Sequence, residues 1–166
     1  MKNIFKVNGK FNLMDLLVSV AIPLGGGLLV GYLNKGSMGT YNSLEKPFFS
    51  PPSIVFPIVW PILYILMGIA AYRIRMLGKE GKNVASGLFT YYIQLLLNFL
   101  WPFIFFTFRL YGISFIELVI LLIFIIITFI HFIMKDKVSG LLLVPYLVWT
   151  TYAGVLNFFI WLLNEA

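Results

Sequence analysis

Cysteine is absent from the 166-residue chain. That excludes a disulfide framework, a thiol nucleophile and a thiolate metal site. A single histidine, His131, excludes a histidine-cluster metal centre, and no cofactor is expected. Charge is also scarce: 11% of residues are charged and only six are acidic, where soluble domains carry about 25% charged residues. No paired carboxylates, Ser-His-Asp set, phosphate-cradling loop or intramembrane ion relay stands out. Hydrolysis, phosphoryl transfer and ion pumping therefore have no visible machinery. The net charge is +6, but no basic stripe lies on a soluble face, so nucleic acid is not an expected partner.

What fills the chain is apolar. Hydrophobic residues make up 61% of the sequence, and the mean hydropathy is +0.97. The chain reads as an all-α integral membrane protein whose partner is the lipid bilayer. Lys2, Lys6 and Lys10 precede an apolar run, the layout of a signal peptide. No clear small-residue cleavage site follows, and the run continues to Leu33, so a transmembrane helix is expected over 14–33. Gly27 and Gly31, four apart, permit close helix approach or leave room for a ligand.

The organising stretch is 41–68, YNSLEKPFFSPPSIVFPIVWPILYILMG. A polar connection over 34–50 is long enough to act as a lid or binding loop. Pro51-Pro52 suit the first turn of a helix and Ser50 suits its N-cap, so the second helix is expected over 51–73. Pro57 and Pro61 then lie inside it, each freeing a backbone carbonyl. Phe56, Trp60 and Tyr64 share one face. That face reads either as packed aromatics on a kinked helix or as a ligand-binding surface.

A third helix is expected over 85–108, with Gln94, Asn98, Trp101 and Phe105 on one face. Its two amides cannot face lipid cheaply. They either bond a neighbouring helix or orient a ligand's polar group. Pro102 suggests a bend. The fourth helix, 113–134, is strongly aliphatic and is expected to be largely lipid-exposed, with Glu117 reaching the interface near one end and His131 interfacial or packed near the other. The fifth, 138–163, places Tyr146, Trp149, Ala153 and Leu156 on a face beside Asn157. Residues 1–166 are thus expected to form one five-helix membrane domain. The N-terminal segment and the second and fourth loops together carry nine Lys or Arg, against three on the other side. By the positive-inside rule the N-terminus is cytoplasmic and the C-terminus outside. Aromatics from three helices, two amides and a glycine-bearing first helix together describe an apolar small-molecule cavity. Large flat ligands suit it: sterols, tetrapyrroles or aromatic drugs.

Three motifs carry a resemblance. They are Y-x-x-L-x-K-P-x-F-x-P-P with the following V-W-x-x-L-Y-x-x-M-G, Q-L-x-L-N-x-x-W-P-x-I-F-F from Gln94, and P-Y-L-x-W-x-x-x-A-x-x-L-N-x-x-I-W from Pro145. Together they resemble the translocator protein family, also called TspO/MBR, the tryptophan-rich sensory proteins or the peripheral-type benzodiazepine receptors, and point to a bacterial member. The resemblance implies a five-helix bundle, often dimeric, that binds porphyrins such as protoporphyrin IX or haem and isoquinoline- or benzodiazepine-type ligands. It implies a role in tetrapyrrole regulation or stress. Some family members are reported to degrade protoporphyrin IX in light, and the two tryptophans implicated match Trp60 and Trp149. Family ligand-lining positions match Asn98, Trp101, Phe105, Ala153 and Leu156. With the loop and aromatic-face residues Tyr41, Pro47, Phe49, Phe56, Tyr64, Gln94 and Tyr146, these form the expected ligand-binding set. Thr40 and Phe49 stand where the family often has tryptophan. Phe158, Phe159 and Leu162 occupy the region of the animal sterol motif without its Tyr and basic residue, so cholesterol is not the expected ligand. Porphyrin binding without turnover is the favoured function. Light-dependent porphyrin breakdown and a substrate-binding subunit of a vitamin importer are the alternatives.

Overall fold

Five helices long and apolar enough to cross a membrane make up most of the computed structural model, which describes residues 4–37 and 39–165. The first, α1 (Leu13–Leu33), starts where the Asn12 side chain accepts from the Asp15 N–H at 3.1 Å. A one-turn helix, α2 (Thr40–Ser43), lies in the long connection. Then come α3 (Val55–Lys79), α4 (Ala85–Pro102), α5 (Tyr111–Lys135) and α6 (Lys137–Asn164). A π turn, Phe103–Thr107, extends α4. It follows Pro102, which lacks the N–H of a regular ladder. Asp136 closes α5 and opens α6, accepting from the Ser139 N–H at 3.1 Å.

Two expectations about the second membrane helix are corrected. Pro51-Pro52 do not begin it, and Ser50 does not cap it: α3 starts at Val55, and its N-cap Ile54 makes no side-chain bond. The Pro52 and Ser53 carbonyls instead accept from Val55 and Phe56 in turns ahead of the helix. Pro57 therefore falls in the first turn, where its missing donor costs nothing, and Pro61 alone sits in the interior. At the far end α3 continues to Lys79 and does not stop at Arg73. Its buried guanidinium binds Asp136 (Nε to Oδ2, 2.5 Å) and donates to the carbonyls of Ile4 and Lys6. Asp15 similarly pairs with Lys79 and, at 3.9 Å, Arg75.

The helices form a ring: α1 on α3, α3 on α6, α6 on α5, α5 on α4, and a lighter contact closing α4 onto α1. Glycines set the closest approaches. A Cβ on Gly68 would strike the backbone of Val20, and one on Gly140 the backbone of Ile133. The fourth membrane helix is exposed over much of its surface, as expected, but not all round. In α5, Ser114, Leu118, Leu121, Ile125, Thr128 and Phe132 are buried on one face, and α1 has the smallest buried share of the five. Glu117 belongs to that buried face too. It is 8% exposed rather than interfacial, and neither carboxyl oxygen has a partner among the described residues. Helix periodicity, masked by uniform aliphatic composition, places it there.

Candidate functional site

Where α1, α3 and α4 meet, a cavity of about 310 Å³ is lined by Phe56, Trp60 and Tyr64 of α3, Asn98 and Trp101 of α4, and Gly27 and Gly31 of α1. Phe106 of the π turn and the rings of Pro57, Pro61 and Pro102 complete much of the wall. The aromatic ladder follows from helical spacing. Trp60 stacks on Tyr64 with centroids 5.6 Å apart, and Trp101 stacks on Phe105 at 4.9 Å. Gly27 is required by this arrangement, since a Cβ there would occupy the Tyr64 ring. Such walls favour a flat apolar molecule through stacking and area burial.

The polar anchor is a chain of side chains running inward from the cavity floor. The Tyr64 hydroxyl donates to Asn98 Oδ1 at 2.7 Å, Asn98 Nδ2 donates to the Tyr146 hydroxyl at 3.1 Å, and that hydroxyl donates to Gln94 Oε1 at 2.7 Å. All four residues are buried. Both α4 amides, Gln94 and Asn98, thus point into the bundle and bond neighbouring helices. The chain fixes the Tyr64 ring and leaves one N–H of Asn98 and the lone pairs of the Tyr64 oxygen for a ligand.

Of the expected binding set, Phe56, Trp60, Tyr64, Asn98 and Trp101 line this cavity together. Tyr41, Phe105, Ala153 and Leu156 gather instead around a void of about 10 Å³ on the other side of Trp101. Phe56, Trp101 and Phe106 border both spaces, and the Trp101 indole donates to Asn157 Oδ1 at 3.0 Å. Ala153 also borders a second void of about 10 Å³ with Trp60, Asn98 and Thr150. Gln94 and Tyr146 lie behind the floor as part of the polar chain. Trp149 packs edge-on against Phe56 at 6.1 Å, and its buried Nε1 has no partner among the described residues. Phe49 packs against Phe159 at 5.6 Å, and its carbonyl accepts from the Tyr152 hydroxyl at 2.9 Å. Pro47 accepts from the Ser50 N–H at 3.1 Å in a turn of the loop. His131 is remote from this cavity. It lies 3.4 Å from the Thr90 hydroxyl and borders a separate space of about 250 Å³ with Lys135 and Met134.

The cavity wall from α1 and its C-cap (Gly27, Leu28, Val30, Gly31, Tyr32 and then Asn34) was absent from the expected set. The Gly27–Gly31 spacing was its signal, but small residues on a membrane helix read equally as a packing seam.

The long loop is strapped down. The Tyr41 hydroxyl donates to the Pro51 carbonyl at 3.0 Å, and the Lys46 ammonium donates to the carbonyls of Tyr41, Asn42 and Leu44. Asn164, at the end of α6, accepts from the Glu45 N–H and donates to the Glu45 carbonyl. Burial raises the Tyr41 phenol above its ordinary pKa.

Comparison with known proteins gives one family: the TspO/MBR family model matches residues 19–162. Among similar proteins, protein CrtK of Rhodobacter capsulatus is 41% identical over 75% of this chain and 78% of its own. The tryptophan-rich protein TspO of Chlorobaculum tepidum is 37% identical over 89% and 97%. The translocator protein of Bos taurus is 34% identical over 86% and 85%.

Proposed function

The chain belongs to the TspO/MBR family of integral membrane proteins, and from that premise we propose that it binds porphyrins and other flat hydrophobic molecules in the α1–α3–α4 cavity, as a receptor or translocator. The observation that carries the reading is the pairing of stacked Trp60 and Tyr64 with a polar anchor where the Tyr64 hydroxyl meets Asn98. A tetrapyrrole presents large π faces to the indole and phenol rings and polar groups to the amide. Isoquinoline- and benzodiazepine-type ligands share that chemistry. In this reading Ala153, Leu156, Phe105 and Tyr41 join the site when Trp101 moves, merging the adjoining void with the main cavity. Loop charge supports a cytoplasmic N-terminus and an outer strap, and a homodimer is compatible with the exposed apolar flanks. The role is tied to tetrapyrrole regulation or stress.

A second reading is light-dependent breakdown of protoporphyrin IX with Trp60 and Trp149 as participants. The unpartnered Trp149 indole favours it. Its separation from the main cavity by Phe56 weighs against it.

The test uses purified protein and protoporphyrin IX, following tryptophan quenching and the porphyrin absorption spectrum in darkness and in light. Saturable quenching with a stable spectrum is the expected result. Light-dependent loss of the porphyrin band in wild type, absent from Trp60→Phe/Trp149→Phe, favours the second reading. Absence of saturable quenching overturns both.

A further inference from the structure

We infer that ligands reach the cavity sideways from the bilayer, through an opening between α1 and α3, and not past the outer loop. The inference rests on the binding role proposed above and adds the route to it.

The exposure of the cavity wall carries the argument. Its floor and far side, Tyr64, Asn98 and Phe106, are buried. Its exposed members are Leu28 and Tyr32 of α1, 59% and 64% exposed, and Pro57 of α3. Leu28 and Tyr32 are one turn apart on the same side of α1. Both belong to a membrane-spanning helix, so the face they present meets lipid. Gly31 sits between them on the cavity side, and a Cβ there would meet nothing within 4 Å. Deeper along the same pair of helices, α1 and α3 are in close contact at Val20 and Gly68. The two helices touch there and again where Gly27 meets the Tyr64 ring, and beside Gly31 the cavity wall is made of glycine, Pro57 and Pro61.

Other routes are obstructed. The Thr107 hydroxyl donates to Asn34 Oδ1 at 2.8 Å, closing the end of α1 against the π turn. The strap is tied at three further points: Tyr41 to Pro51, Glu45 to Asn164, and Tyr152 to Phe49. Opening it breaks several bonds at once, whereas at Gly31 an added Cβ would meet nothing within 4 Å. The chemistry agrees with the route. An apolar planar molecule partitions into the acyl region and arrives at the height of Leu28 without returning to water.

The chain has no cysteine, so engineered thiols report cleanly. In full-length protein in lipid nanodiscs, Glu45→Cys/Asn164→Cys, joined by a disulfide or a short bis-maleimide, locks the strap. The route predicts protoporphyrin IX association within about twofold of wild type, before and after reduction of the disulfide. Gly31→Phe fills the gap and is expected to slow both association and dissociation at least tenfold; Leu28→Trp is a second plug should Gly31→Phe alter the thermal unfolding profile. A locked strap that stops association, with recovery on reduction, overturns the inference. A ligand-independent arm separates this from the binding role. Gly31→Cys should react faster with a lipid-soluble maleimide than with a sulfonated one, each normalised to Ser53→Cys in the loop. The reverse order places the opening in water and overturns the route, whether or not porphyrin binds. Absence of porphyrin quenching in wild type, with the lipid-soluble reagent still preferred, rejects the binding role and leaves the lateral opening standing.

Discussion

Glu117 shows what single residues contribute. A carboxyl group on a membrane helix that is 8% exposed and lacks a partner among the described residues is costly. Glu117→Leu is therefore expected to stabilise the bundle by about 1–3 kcal/mol, read as a higher thermal midpoint in detergent. Tyr64→Phe acts in the opposite direction. It leaves Asn98 Oδ1 without its 2.7 Å donor, and interhelical bonds of this kind contribute about 0.6–1.7 kcal/mol. Glu80 supplies a pH test outside the membrane spans. The bond from Asn8 Nδ2, then the Lys10 ammonium, hold its carboxyl below its usual pKa. Its contribution is therefore present above the ordinary carboxylate range and is lost as pH falls through the lowered value. Hydrogen exchange at residues 8–10, corrected for intrinsic rates, should accelerate as pH falls below the ordinary carboxylate range, and Glu80→Gln should abolish that step.

At the level of elements, close packing of α1 on α3 sets the depth of the cavity. Gly68→Leu places side-chain atoms on the Val20 backbone. Overpacking of this sort costs about 1–3 kcal/mol and is expected to lower both the thermal midpoint and porphyrin affinity. Much of this arrangement was legible in the chain. The face shared by Phe56, Trp60 and Tyr64 and the inward amides of Gln94 and Asn98 follow from helical periodicity, which survives folding because α3 stays helical through Pro61 and α4 through both amides. Legibility failed where the signal was not local. Pro51-Pro52 look like a helix start, but turns to Pro52 and Ser53 defer it to Val55. Arg73 looks like the end of its helix, but it pairs with Asp136, 63 residues away, and the helix runs on to Lys79. The buried face of α5 is hidden because nearly every side of that helix is equally apolar.

For the whole molecule, the ring of helices encloses a polar chain from Tyr64 to Gln94 and leaves an apolar cavity beside it. A planar molecule stacked there should depend on Trp60 and be indifferent to indoles elsewhere. Trp161, which stacks on Phe115 outside the cavity, is the internal control. The direct test is the protoporphyrin IX dissociation constant, from absorption titration in darkness, for wild type, Trp60→Ala and Trp161→Ala. Loss of one stacking partner is worth about 1.4 kcal/mol, or tenfold. Trp60→Ala should weaken binding by about that factor, and Trp161→Ala should stay near wild type. Equal affinity in Trp60→Ala and wild type, with both folded, contradicts the placement of the ligand in this cavity.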